Sequence, residues 1–146
     1  KIDGMPQPHC IMASVFLDDC TVASSPLLVL PGSQQHGLLN ASVDGDAVGR
    51  GYDLQTIDQC SLASLAAEHG IEALLGSAGT VAFVHCNVVH GSANNVSPWR
   101  RAIMYLIYNA VGNACTKSTR PWYQNNRDFT PLKALDADCL RDGSFD

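Results

Sequence analysis

The chain has 146 residues, 46% hydrophobic and 16% charged, with a formal net charge of −5. That length suits one domain with a buried core, and the composition excludes an intrinsically disordered chain. The acidic balance and scattered basic residues argue against nucleic acid as a partner, and no apolar run approaches the roughly 18 residues needed to span a bilayer.

In chain order the pattern is strands, one helical insertion, more strands and a loop-rich tail. The run HCIMASVFLDD (9–19) is apolar and β-branched, and it ends in a carboxylate turn. SPLLVLPGS (25–33) predicts a second strand, stopped by Pro31-Gly32-Ser33. Residues 34–53, rich in Gly, Asp, Ser and Asn, predict a long surface loop. In TIDQCSLASLAAEHG (56–70) the spacing of Ile57, Leu62, Leu65 and Ala66 predicts an amphipathic helix closed by Gly70. TVAFVHCNVVHG (80–91) reads as one strand whose end turns polar, and RAIMYLIYNAV (101–111) as a last strand too apolar to face solvent. Many strands and one helix point to a mainly β fold, a sandwich or barrel carrying an insertion at 34–77.

The six cysteines are widely spaced, with no Cys-x-x-Cys pair, which suits reduced thiols in a cytoplasm better than a disulfide framework. The sequons at Asn40 and Asn95 read as chance matches. His9, His36 and His69 fall in loop-like or helix-end contexts and read as solvated surface residues. His85 and His90 are five apart, which in one strand puts them on opposite faces, so they do not read as a metal-binding pair.

His90 and Arg101 together are more informative. Non-heme Fe(II) oxygenases bind iron with two histidines and one carboxylate on one octahedral face, leaving positions for cosubstrate and O2. A 2-oxoglutarate cosubstrate chelates the metal at one end, and its far carboxylate needs a buried cation. Arginine suits that carboxylate because its planar fork makes two parallel hydrogen bonds and keeps its charge. A histidine at one strand end and an arginine early on the next can deliver both groups to one pocket. Alternation turns Arg100 the other way.

DGMP (3–6), PLLVLPGS (26–33), AGTVAFVHCNVVHGSANNVSPWRRAIMYLIYNAVGN (78–113) and RPWYQNNRDFTPL (120–132) together resemble the phytanoyl-CoA dioxygenase superfamily, most of all its ectoine hydroxylase branch. The match runs almost the whole chain and is weak only over 34–77. The resemblance implies a double-stranded β-helix (jelly-roll, cupin-like) fold and an Fe(II)/2-oxoglutarate-dependent dioxygenase that hydroxylates a small-molecule substrate with O2. By position, His90 matches the distal iron-binding histidine, Arg101 the arginine that holds 2-oxoglutarate, and Ser92 a serine on the same carboxylate. The other two iron ligands come, in this family, from a His-x-Asp pair just ahead of DGMP. No His-x-Asp or His-x-Glu triplet occurs in the 146 residues. The expectation is therefore a single-domain C-terminal part of a jelly-roll dioxygenase, with no catalytic residue assigned beyond these binding groups.

The ectoine hydroxylase branch carries an aromatic residue just before His85 and an Asn two residues after the arginine. Val84 and Ile103 stand there instead, while Tyr105 keeps an aromatic on the face of Arg101 and Ile103. These three residues are the candidate substrate wall, more apolar than ectoine requires. Ectoine or an amino-acid-like metabolite is the candidate substrate, and a homodimer the candidate assembly. Two alternatives stay open: a catalytically inactive jelly-roll binding module, and a cupin-like metalloenzyme without cosubstrate, against which Arg101 argues.

Overall fold

The computed structural model describes residues 4–44, 54–117, 122, 126–136 and 138. The chain divides into two compact units: Pro8–Asn109, and a second built from Lys1–Gln7 with Ala110–Asp146.

Among the described residues, the strands and the α-helix lie in the first unit. Strand β1 (Cys10–Phe16) is followed by β2 (Leu27–Val29) and a 3-10 turn at Ser33–His36. Next come β3 (Ala41–Asp44), β4 (Leu54–Ile57), helix α1 (Gln59–His69) and β5 (Glu72–Leu74). The unit closes with β6 (Val81–His85), β7 (His90–Gly91) and β8 (Ile103–Asn109). One antiparallel sheet has the order β6-β1-β8, a second β5-β2-β7, and β3 pairs with β4 as a separate ribbon. The ribbon and α1 occupy the predicted insertion, so part of the expected loop at 34–53 is strand; residues 45–53 lie outside the described residues.

The first sheet is fixed by the alternation of β1. Met12 stands opposite Val84 and Ile107, Ser14 opposite Ala82 and Tyr105, and Phe16 opposite Ile103. Antiparallel partners share a face. On β1 and β6 that face is largely covered, with Ser14 at 1%, Phe16 at 2% and Val84 at 6% exposure, whereas on β8 Tyr105 and Ile107 of the same face are exposed. The opposite face carries Ile11, Val81, Phe83, Met104, Leu106 and Tyr108, all exposed. β8 therefore corrects the expectation of a buried strand: it is an edge strand, paired with β1 alone among the described residues, and Ile107 is 70% exposed.

The carboxylate turn after β1 does structural work. Asp18 accepts a hydrogen bond from the Ala102 backbone N–H at 2.8 Å, and Asp19 one from the Ala78 N–H at 2.9 Å. Leu17 N–H also donates to the Ala102 carbonyl, which carries the β1–β8 pairing one step beyond the strand. The turn thus anchors the segment holding Arg101.

TVAFVHCNVVHG is not one strand. A turn closed by the Val88 N–H on the His85 carbonyl (3.0 Å) splits it, leaving β6 in the first sheet and β7 in the second. Leu30 N–H donates to the Val89 carbonyl and Val89 N–H to Ser33 Oγ, so the end of β2 captures the chain after the turn. His85 and His90 are separated by a change of sheet, not by strand alternation.

Helix α1 begins and ends as its sequence dictates. Asp58 is the N-cap, accepting from the Ser61 N–H (2.9 Å) and the Ser61 hydroxyl (2.6 Å), and Gly70 closes the C-terminus at φ 70°. Only Leu65 is buried in α1, so its apolar face is narrower than the sequence spacing predicts.

In the second unit, Asn113 brackets the backbone of Gln7, its Oδ1 accepting from the Gln7 N–H (2.8 Å) and its Nδ2 donating to the Gln7 carbonyl (2.7 Å). Cys20, Cys60, Cys86 and Cys115 are free thiols, and Cys139 lies outside the described residues. Among the described residues no helix is long and apolar enough to cross a membrane.

Candidate functional site

Arg101 sits just ahead of β8, on the face of Ile103 and Tyr105 by alternation. Its Nη1 is buried and has no hydrogen-bond partner among the described residues. Arg101 as a whole is half-buried, and the cost falls on this one N–H donor nitrogen, which has lost water without gaining an acceptor. The chemistry that relieves it is an anion with two oxygens at the spacing of the fork, a carboxylate. Arg100, next in sequence, is exposed and lines a separate depression with Asp18, Asp19, Thr21, Ser24 and Trp99.

His90 opens β7, with its backbone paired to Val29. The side chain is exposed, and Nδ1 lies 2.8 Å from the Val88 carbonyl. A carbonyl only accepts, so Nδ1 carries a proton, and in the neutral ring the lone pair is then on Nε2. That is the tautomer of an imidazole ready to bind a metal through Nε2, oriented by a backbone acceptor. The turn that splits β6 from β7 supplies that acceptor.

Ser92 follows β7 and is exposed. The loop after it is held from two sides. Ser25, a non-glycine residue at φ 64°, donates its hydroxyl hydrogen to the Ala93 carbonyl. Asn95 accepts from the Ser97 N–H (2.9 Å) and donates to the Trp99 carbonyl (2.7 Å). One sequon asparagine is therefore used to shape the loop leading into Arg101. Among the described residues, no hydrogen bond or ion pair joins His90, Ser92 and Arg101 to one another.

Val84, Ile103 and Tyr105 come from two strands on either side of β1, yet they share its buried face through Met12, Phe16 and Ser14. Val84 is packed away, Ile103 half-buried and Tyr105 47% exposed. Of the three, Tyr105 offers the most surface to a ligand.

Sequence reasoning missed the positioning roles of Asp18 and Ser25. A carboxylate turn was legible; its bond to a residue 84 positions away was not. It also missed His36 and His69. They are not separately solvated: they meet each other and Glu68.

The structure thus offers a half-buried arginine with one unpartnered nitrogen ahead of β8 and an exposed histidine at the start of β7. The chain belongs to the phytanoyl-CoA dioxygenase (PhyH) family, whose model matches residues 3–103. It is 35% identical over 140 residues to an ectoine dioxygenase of Stutzerimonas stutzeri, covering 89% of this chain and 46% of the relative. It is also 35% identical over 147 residues to L-proline trans-4-hydroxylase of Streptomyces griseoviridis, covering 94% of this chain and 54% of the relative. Among solved structures, EctD from S. alaskensis with bound Fe superposes with a TM-score of 0.70 at 34% identity, over 91% of this chain and 44% of EctD. The same protein with 2-oxoglutarate and 5-hydroxyectoine gives 0.66 at 36% identity, over 86% of this chain and 41% of EctD. The fold is the jelly-roll of these enzymes, and the chain spans about half the length of the curated relatives it matches.

Proposed function

We propose that this chain is the C-terminal, cosubstrate-binding part of an Fe(II)/2-oxoglutarate-dependent dioxygenase that hydroxylates a small, amino-acid-like molecule. The single observation that carries the reading is the buried Arg101 Nη1 with no partner. A purely structural domain has no use for such a nitrogen, and the alternative of a catalytically inactive ligand-binding module is separated from the enzyme by whether an intact His-x-Asp pair precedes DGMP. Family membership and the similarity to enzymes named for ectoine and L-proline support the same reading.

In this proposal Arg101, with Ser92, holds the far carboxylate of 2-oxoglutarate. His90 gives its Nε2 to Fe(II), its ring fixed by the Val88 carbonyl. The remaining histidine and carboxylate ligands come from a His-x-Asp pair N-terminal to DGMP in the whole protein, and the segment 34–77 is an insertion into the jelly-roll. DGMP starts at Asp3, outside the described residues, and Asp3 is not a ligand in this scheme. With iron bound, O2 is divided between the two substrates: one atom becomes the product hydroxyl, and the other enters succinate as 2-oxoglutarate loses CO2. This chain's residues bind and orient. Val84 and Ile103 give the site an apolar wall, and Tyr105 offers a partly exposed aromatic edge with a hydroxyl to the substrate. An amide at 103 would provide hydrogen bonds that isoleucine cannot, so a substrate less polar around this wall than ectoine fits better.

The test is succinate formation by the whole protein with Fe(II), O2 and a panel of free amino acids and ectoine. Substrate-dependent succinate that requires Fe(II) and disappears in His90→Ala supports the reading. Undiminished turnover in His90→Ala would remove that residue from the metal.

A further inference from the structure

We propose a second metal site, at His36, Glu68 and His69, that takes a divalent cation of the zinc class. His36 is the last residue of the 3-10 turn after β2, and Glu68 and His69 end helix α1. The two imidazole Nε2 atoms are 2.8 Å apart, and each lies 3.6 Å from Glu68 Oε1. The rings meet edge to face, with centroids 5.0 Å apart and planes at 82°. Among the described residues this is the only group of three potential ligand side chains with its ligand atoms within 4.8 Å of one another.

Two nitrogens at 2.8 Å must share one proton, since two lone pairs or two N–H groups would repel. A zinc ion in place of that proton uses both lone pairs. Tetrahedral bonds of about 2.0–2.1 Å put the two nitrogens roughly 3.3 Å apart, so the rings need to open by about half an ångström. His36, on an exposed turn, can provide that. Two histidines and one glutamate are a zinc donor set, with the fourth position left to water. That position has room: a depression of about 370 Å³ beside the cluster is lined by His36, Leu39, Cys60, Ser64, Leu65 and Glu68. The C-terminal end of α1 also favours positive charge.

His69 is seated for this. Its side chain is only 14% exposed, and its Nδ1 lies 2.9 Å from the point a Cβ on residue 32 would occupy. Gly32, at φ 91°, is what lets the ring lie there. The three residues belong to none of the groups assigned above to iron, cosubstrate or substrate. The metal would tie the turn at the end of β2 to the end of α1, closing a 33-residue stretch that includes the β3–β4 ribbon.

The experiment is calorimetric titration of chelator-stripped protein with Zn2+ alone, in the wild type and in a His90→Ala background, together with melting curves. The expected result is one equivalent of zinc in His90→Ala, with a raised melting temperature. His36→Ala, His69→Ala and Glu68→Gln should each weaken zinc by more than the roughly 10–100-fold typical of losing an outer-shell partner. Glu68 and His36 are partly exposed, so those two variants stay informative if His69→Ala misfolds. Zinc bound equally well by His36→Ala and Glu68→Gln, as cysteine binding would give, overturns the site. So does the absence of zinc binding in His90→Ala.

Discussion

Arg101 makes the sharpest residue-scale predictions, because its buried nitrogen is unpartnered while its neighbour Arg100 is exposed. Arg101→Lys places a compact ammonium where a planar fork is needed, and 2-oxoglutarate affinity should fall well below wild type; direct titration checks this. Arg100→Ala should leave that affinity unchanged. Tyr105, the most exposed of the three wall residues, should act on the substrate alone. Tyr105→Ala is expected to raise the substrate KM at least about tenfold, the effect of losing a modest pocket contact, with 2-oxoglutarate binding unchanged. Equal losses for both ligands would place Tyr105 elsewhere. The arginine and the histidine were singled out in the sequence by the chemistry a cosubstrate site needs and by the family resemblance, not by spacing alone. The tautomer of His90 was not, since it depends on a turn that the apolar run around it conceals.

At the scale of elements, helix α1 was legible because its spacing and its Gly70 stop are local signals, while its Asp58 cap was found only in the structure. The Ser61 hydroxyl, and then the Ser61 N–H, hold the Asp58 carboxyl below its ordinary value of 3.8. A carboxyl depressed in the folded state stabilises above its unfolded value and loses that effect as pH falls through its folded value. The wild type should therefore melt above Asp58→Ala near neutral pH, and the two melting curves should converge in acid once the carboxyl is protonated. A difference that persisted unchanged in strong acid would contradict the capping role. Gly32 supplies a second test. Gly32→Ala puts a Cβ at positive φ, worth about 1–2 kcal/mol, and also drives it into the His69 ring, so a clear drop in melting temperature is expected. The strand reading failed at 80–91 because apolar residues continue through a turn whose bonds come from distant Leu30 and Ser33.

At the scale of the molecule, the β composition and the resemblance together carried the jelly-roll, and the superposition on EctD bears it out. What composition could not show is which sheet face is covered. β8 is as apolar as a core strand, yet Tyr105 is 47% and Ile107 70% exposed, because hydrophobicity reports what a strand tolerates and not what packs on it. In the proposed function this chain supplies the cosubstrate's cation, Arg101, and one metal ligand, His90. The most direct measurement is an anaerobic titration of 2-oxoglutarate into the whole protein with Fe(II), wild type against Arg101→Ala. Removing one partner of such a buried charge pair costs about 2–5 kcal/mol, so affinity should fall roughly 30- to several-thousand-fold. Equal affinity in the two proteins would contradict the account.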